Sequence, residues 1–84
     1  MKQKNSPQHP GLYLDSIYRG LGLTKAAMAA KLNMSRTTLW KFTEGKSRLN
    51  PDMAAILGQI TDKSAREWIG MQAAFDTHQA ESRS

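Results

Sequence analysis

Apolar side chains recur along the chain at three- and four-residue intervals, broken by short polar or glycine-containing stretches, and that rhythm is helical. Leu14, Ile17, Tyr18 and Leu21 form the first stripe. Pro10 suits the opening of a helix and the segment RGLGL closes it, which predicts a helix over about residues 11 to 19. Thr24 can cap a second helix with Met28 and Leu32 as its apolar stripe, while Ala27, Ala29 and Ala30 allow a neighbour to approach closely. Asn33, a residue that tolerates left-handed backbone, stops it. Ser35 caps a third helix with Leu39 and Phe42 facing the core, and Gly45 ends it. After the basic loop KSRLN, Asn50 and Pro51 open a fourth helix carrying Met53, Ile56, Leu57 and Ile60. Ser64 and Glu67 form a capping box for a fifth, which runs through Trp68, Met71, Phe75 and His78 to about Ala80. No alternating strand pattern, repeat or low-complexity segment interrupts this succession. The expected fold is all-α, with five short helices.

Composition narrows the organisation. Eighty-four residues with 39% hydrophobic content suit one small domain, since chains of about 60 residues can fold on a single modest core. Residues 1 to 9 lack a core pattern and read as a mobile arm, residues 10 to 80 as the domain, and residues 81 to 84 as a polar tail. Without cysteine, neither disulfides nor thiolate metal sites can hold the core. No purely apolar run is longer than MAAIL, far below the roughly 18 residues of a membrane span. MKQKNSPQHP does not read as a secretory signal, so the expected location is the cytoplasm, with no membrane partner.

Charge is distributed unevenly. Between Arg19 and Arg48 seven basic residues face Glu44 alone, a net of +6, whereas Pro51 to Ser84 carries three positive and five negative residues, a net of −2. A basic middle segment suits a polyanion, because neutralised phosphates release condensed counterions. A merely solvated basic surface is the alternative on charge alone.

The spacing of the second and third helices is that of a helix-turn-helix: small Ala29, then Asn33 in the turn four residues on, then Leu39 as the plug between the helices six further on. Met28, Leu32, Met34 and Phe42 complete the packing. At roughly 100° per residue, with Leu39 and Phe42 inward, Thr37, Lys41 and Glu44 occupy the outer face. Arg36 and Trp40 then flank them on one side and Thr38 on the other. Arg36 can pair bidentately with guanine, Thr37 can donate, accept or touch a thymine methyl, and Lys41 can reach base or phosphate. Ser35 and the free amides at the helix start can hold a phosphate. Lys25, Thr38, Lys46 and Arg48 suit the DNA backbone on either side.

Trp40 has three open placements: on a sugar edge or thymine methyl, under a protein partner, or folded back over Arg36 or the junction of the first two helices. Glu44 can hold Lys41 or accept from cytosine. Trp68, Met71, Phe75 and His78 have the spacing of a two-helix seam. Trp68 suits the core better, while Phe75 and His78 are candidates for a dimer seam. Catalysis finds no support: His9 and His78 are remote in sequence, no His/Cys metal spacing exists, and no nucleophile sits beside a base. Neither a metal nor a cofactor is expected. A pure protein-interaction module is a further alternative, which the basic residues around the third helix argue against.

Several segments resemble the single-domain helix-turn-helix proteins of the Xre/Cro type, and within them the HigA-type antitoxins. They are HPG at 9 to 11, GLT at 22 to 24, LNMSRTTLWKFTEGKSRLNPDMA, and EWIGMQAAFD at 67 to 76. The helix-turn-helix part is shared by many repressors, whereas the ending built from Trp68, Gln72, Phe75 and Asp76 is more particular to the HigA type. The resemblance implies an Xre/Cro-like five-helix fold and a homodimer that represses its own operon by binding double-stranded operator DNA. It also implies direct binding of a small HigB-like mRNA-cleaving toxin. Ser35, Arg36, Thr37 and Lys41 would then read bases, and Lys25, Lys46 and Arg48 would contact the backbone. Lys25 and Trp40 depart from the family, which often has glutamine and a small residue there. Because such a toxin is expected to be basic, Asp62, Glu67, Asp76 and Glu81 form the expected toxin dock. The alternative function is a stand-alone Xre-type repressor without a toxin.

Overall fold

The computed structural model describes residues 7 to 83. It contains α1 (Pro10–Ile17), a 3-10 turn (Tyr18–Leu21), α2 (Lys25–Lys31), α3 (Arg36–Thr43), α4 (Pro51–Ile60) and α5 (Ala65–Arg83). Each helix starts where a side chain can absorb its unpaired amides. The Ala27 N–H donates to Thr24 Oγ1 at 3.1 Å, the Thr38 N–H to Ser35 Oγ at 3.0 Å and the Met53 N–H to Asn50 Oδ1 at 2.8 Å. The capping box of α5 is closed in both directions, with the Ser64 N–H on Glu67 Oε1 at 2.8 Å and the Glu67 N–H on Ser64 Oγ at 3.1 Å. Asn33 takes the left-handed conformation, φ 57°, in the turn between α2 and α3.

Three boundaries differ from expectation, and each has a local cause. The first helix becomes a 3-10 turn after Ile17, tightening into Gly22 at φ 76°. The fifth helix continues through Glu81–Arg83, where the tail was expected, because nothing between Ala80 and Arg83 breaks a helix. The arm expected over residues 1 to 9 does not include His9, which is 3% exposed. His9 caps α1 by accepting the Gly11 N–H on Nδ1 at 2.8 Å. Residues 1 to 6 lie outside the described residues.

The core joins all five helices through Leu14, Met28, Ala29, Leu32, Leu39, Phe42, Leu49, Met53, Ala54, Leu57 and Trp68. Trp68 is fully buried, lies 5.5 Å from the Tyr13 ring and donates its Nε1–H to Thr61 Oγ1 at 2.9 Å. It is therefore a core residue. α1 crosses α3 so closely that a Cβ at Gly11 would fall 1.6 Å from the Phe42 carbonyl oxygen. Only glycine permits that approach, and the approach sets how α3 sits on the body of the protein.

Candidate nucleic-acid interface

Leu39, Phe42 and Thr43 anchor α3 in the core, leaving Arg36, Thr37, Thr38, Trp40, Lys41 and Glu44 exposed along its outer face. Among the described residues, Arg36 and Lys41 take part in no ion pair, so both cations remain available on a convex helical ridge. Ser35 is more committed. Its Oγ accepts the Thr38 N–H and donates to Thr38 Oγ1 at 2.9 Å, so its proton is spent within the chain. Thr38 accepts that bond and retains its own hydroxyl proton, which suits a phosphate oxygen. Thr38 also lines an open groove of about 640 Å³, together with Ser47, Arg48 and Asn50. Lys25, half-buried, opens α2 directly after its threonine cap.

The loop after α3 is built by its own backbone and then braced by α5. Gly45 adopts φ 77°, its N–H donates to the Phe42 carbonyl at 3.0 Å, and the Lys46 N–H donates to the Lys41 carbonyl at 2.8 Å. The Leu49 N–H donates to Oε1 of buried Gln72 at 2.8 Å, and Gln72 Nε2 donates to Asp76 Oδ1 at 3.0 Å. Asp76 Oδ2 pairs with the Arg48 guanidinium at 2.7 Å. Desolvation opposes ionisation of Asp76, but the hydrogen bonds from Arg48 and Gln72 and the neighbouring positive charge outweigh it and hold its carboxyl below the usual value. Arg48 nonetheless keeps a side chain 69% exposed.

His9 joins the same assembly from the other side. Its ring meets Phe42 edge-on at 5.6 Å and Phe75 at 5.0 Å. Burial pushes its imidazole below the ordinary 6.5, reinforced by Arg48 and opposed by a backbone hydrogen bond at Ser47 and the charge of Asp76. Phe75, a candidate for a dimer seam, therefore spends part of its surface within its own chain. His78 is half-buried further along α5.

The acidic residues are less concerted than expected. Asp76 is already paired with Arg48. Glu67 is tied to its helix cap, where the Ser64 backbone and hydroxyl hydrogen bonds lower its carboxyl pKa. Asp62 and Glu81 are exposed. At about 1.5 Å per helical residue, Glu67 and Glu81 lie at nearly opposite ends of α5.

Sequence reasoning overlooked His9 and Ile69. A histidine directly before Pro10 stands where a helix cap belongs, which was a usable signal. Ile69 is 46% exposed, and with Ala73 and Thr77 it follows an i, i+4, i+8 line on α5 that flanks the buried Trp68 and Gln72; Ile69 and Ala73 line one groove with Gln72 and Asp76. Among the described residues there is no group of three or more potential metal ligands, and no helix is long and apolar enough to cross a membrane.

No family model matches the chain. Over 77 residues it is 35% identical to virulence-associated protein A of Dichelobacter nodosus, covering 89% of this chain and 76% of that protein. It is similar in structure to an antidote protein of a plasmid maintenance system from Nostoc punctiforme, with a TM-score of 0.82 and 27% identity over 92% of this chain and 85% of the other. The Pseudomonas aeruginosa antitoxin HigA, solved with the higBA promoter, gives a TM-score of 0.80 and 28% identity over 92% of this chain and 85% of its own.

Proposed function

Because the chain belongs to the HigA-type antitoxins of the Xre/Cro helix-turn-helix family, we propose that it represses its own operon as a homodimer on operator DNA and neutralises a HigB-like mRNA-cleaving toxin by direct binding. It is a non-enzymatic DNA-binding protein of that family. Arg36, Thr37 and Lys41 read base edges in the major groove, with Ser35 holding the start of α3 against the backbone. Lys25, Thr38, Lys46 and Arg48 bond phosphates on the two sides. The observation that carries this assignment is the outer face of α3, where Arg36, Thr37 and Lys41 are exposed above the buried Leu39 and Phe42.

The dimer forms along α5, with Phe75 and His78 toward the seam. The toxin docks on the acidic C-terminal half at Asp62, Glu67 and Glu81, with Asp76 contributing only as far as Arg48 releases it. Both partners meet the protein in the cytoplasm. Footprinting on the DNA directly upstream of the reading frame tests the repressor half. Two half-sites centred about 34 Å apart, or a multiple of that, are expected, and a single unrepeated half-site would remove the dimer. Co-expression with the product of the adjacent small reading frame tests the toxin half. If no toxic neighbour exists, the protein is a stand-alone repressor.

A further inference from the structure

Trp40 is 43% exposed on the outer face of α3, where a large aromatic needs a reason. Its ring is engaged from within the chain: the Lys46 Nζ sits over it, 4.9 Å from the centroid. The contact follows from how α3 ends. The left-handed Gly45 and the paired bonds from Gly45 N–H to Phe42 and from Lys46 N–H to Lys41 make a Schellman termination. In that motif the residue after the glycine commonly packs on a side chain one turn back in the helix. Those two positions are Lys46 and Trp40. A lysine there places an ammonium, rather than a methyl group, on the aromatic face.

We propose that Trp40 is a positioning residue for DNA binding: it holds the Lys46 ammonium at the exit of α3, where Lys46 bonds a phosphate, and does not itself read a base. The inference rests on the DNA-binding function above. A long, unrestrained lysine loses rotamer freedom when it engages a phosphate, whereas one already parked on an indole loses less. The loop backbone under Lys46 is fixed by the bond to Lys41 and, three residues on, by Gln72 at Leu49. Among the described residues no carboxylate pairs with Lys46, and its side chain is exposed, so the ammonium can face ring and phosphate together.

The test is a double-mutant cycle on two DNA duplexes, one covering the DNA directly upstream of the reading frame and one with the same composition scrambled, each titrated over a salt series. Wild type, Trp40→Leu, Trp40→Phe, Lys46→Ala and Trp40→Leu/Lys46→Ala are compared, with thermal melts to verify folding. Trp40→Leu is expected to weaken binding about two- to fivefold on both duplexes and to flatten the salt dependence toward that of Lys46→Ala. Trp40→Phe, which keeps an aromatic face, should retain most of the affinity. In the Lys46→Ala background, Trp40→Leu should have no further effect. Equal loss with and without Lys46, or loss confined to the upstream duplex, would overturn the inference and make Trp40 an independent contact or a base reader. If wild type binds neither duplex even at low salt, the DNA-binding function falls first, a result distinct from either.

Discussion

The third and fifth helices use their polar side chains in opposite ways. α3 is eight residues long, buries Leu39, Phe42 and Thr43, and leaves Arg36, Thr37 and Lys41 exposed and outside any ion pair among the described residues. α5 is nineteen residues long, buries Trp68 and Gln72, and commits three polar groups within the chain: Gln72 to the Leu49 amide, Asp76 to Arg48 and Glu67 to its own cap, while Arg66, Glu81 and Arg83 stay exposed toward its two ends. A side chain already bonded within the chain must break that bond before it can serve a partner, which costs binding energy; an uncommitted one has only water to displace. The uncommitted cations and hydroxyl at the middle of α3 are what suit that face to the DNA contact proposed above. α5, through Gln72 and Asp76, is the frame that braces the loop after α3.

The largest effect should come from breaking the frame itself. Trp68→Ala removes a fully buried indole and its hydrogen bond to Thr61, and should cost about 3–5 kcal/mol in urea denaturation, enough to unfold a marginal domain. A loss below about 1 kcal/mol would mean that α5 is not part of the core. Gln72→Leu strips the Leu49 amide of its acceptor and should cost about 1–3 kcal/mol of stability. It should also weaken DNA binding, although Gln72 lies on the frame. Unchanged DNA affinity in a folded variant would separate the loop from α5.

On the reading side, Arg36→Ala should relax preference at one base pair by about 1–3 kcal/mol, whereas Lys46→Ala should weaken all sequences alike and lower the salt slope by about one. Identical salt titrations for the two would erase the division between base and phosphate contacts. The smallest effect concerns acid. Because burial lowers the His9 pKa below 6.5, the folded chain binds that proton less readily than the unfolded one. Stability should thus be level above the unfolded value and decline as pH falls from 6.5 toward the depressed folded value. Melting temperatures from about pH 7.5 down to about pH 5.5 measure this. His9→Asn, which can still cap α1, should flatten the decline, and an unaltered slope would assign it elsewhere.

Much of this division is visible in the order of residues, and the part that is not has a physical reason. Caps and stops are local chemistry, so Thr24, Asn33, Ser35, Gly45, Asn50 and the Ser64–Glu67 box all announce themselves within a few positions. The outward set on α3 follows from helical periodicity once Leu39 and Phe42 are turned inward. What the chain order hides is contact across long separations. Nothing near Gln72 says that it will bond the Leu49 amide, or near Asp76 that Arg48 will occupy it, and so Asp76 looked like a free charge for a partner. His9 was hidden by the polar residues before it, although its place ahead of Pro10 marks a cap. Trp40 could not be assigned because its partner Lys46 lies beyond a chain reversal.

The comparison between the two helices is tested most directly by one double variant, Arg36→Ala with Lys41→Ala, assayed in the same cells for repression of the upstream promoter and for protection from the product of the adjacent small reading frame. Both side chains are exposed and outside the core, so the fold should survive. If the proposed division holds, with the cations of α3 on DNA and the toxin on the acidic half, repression should be abolished while protection persists. Loss of protection with repression intact would place the toxin on α3 and contradict the account.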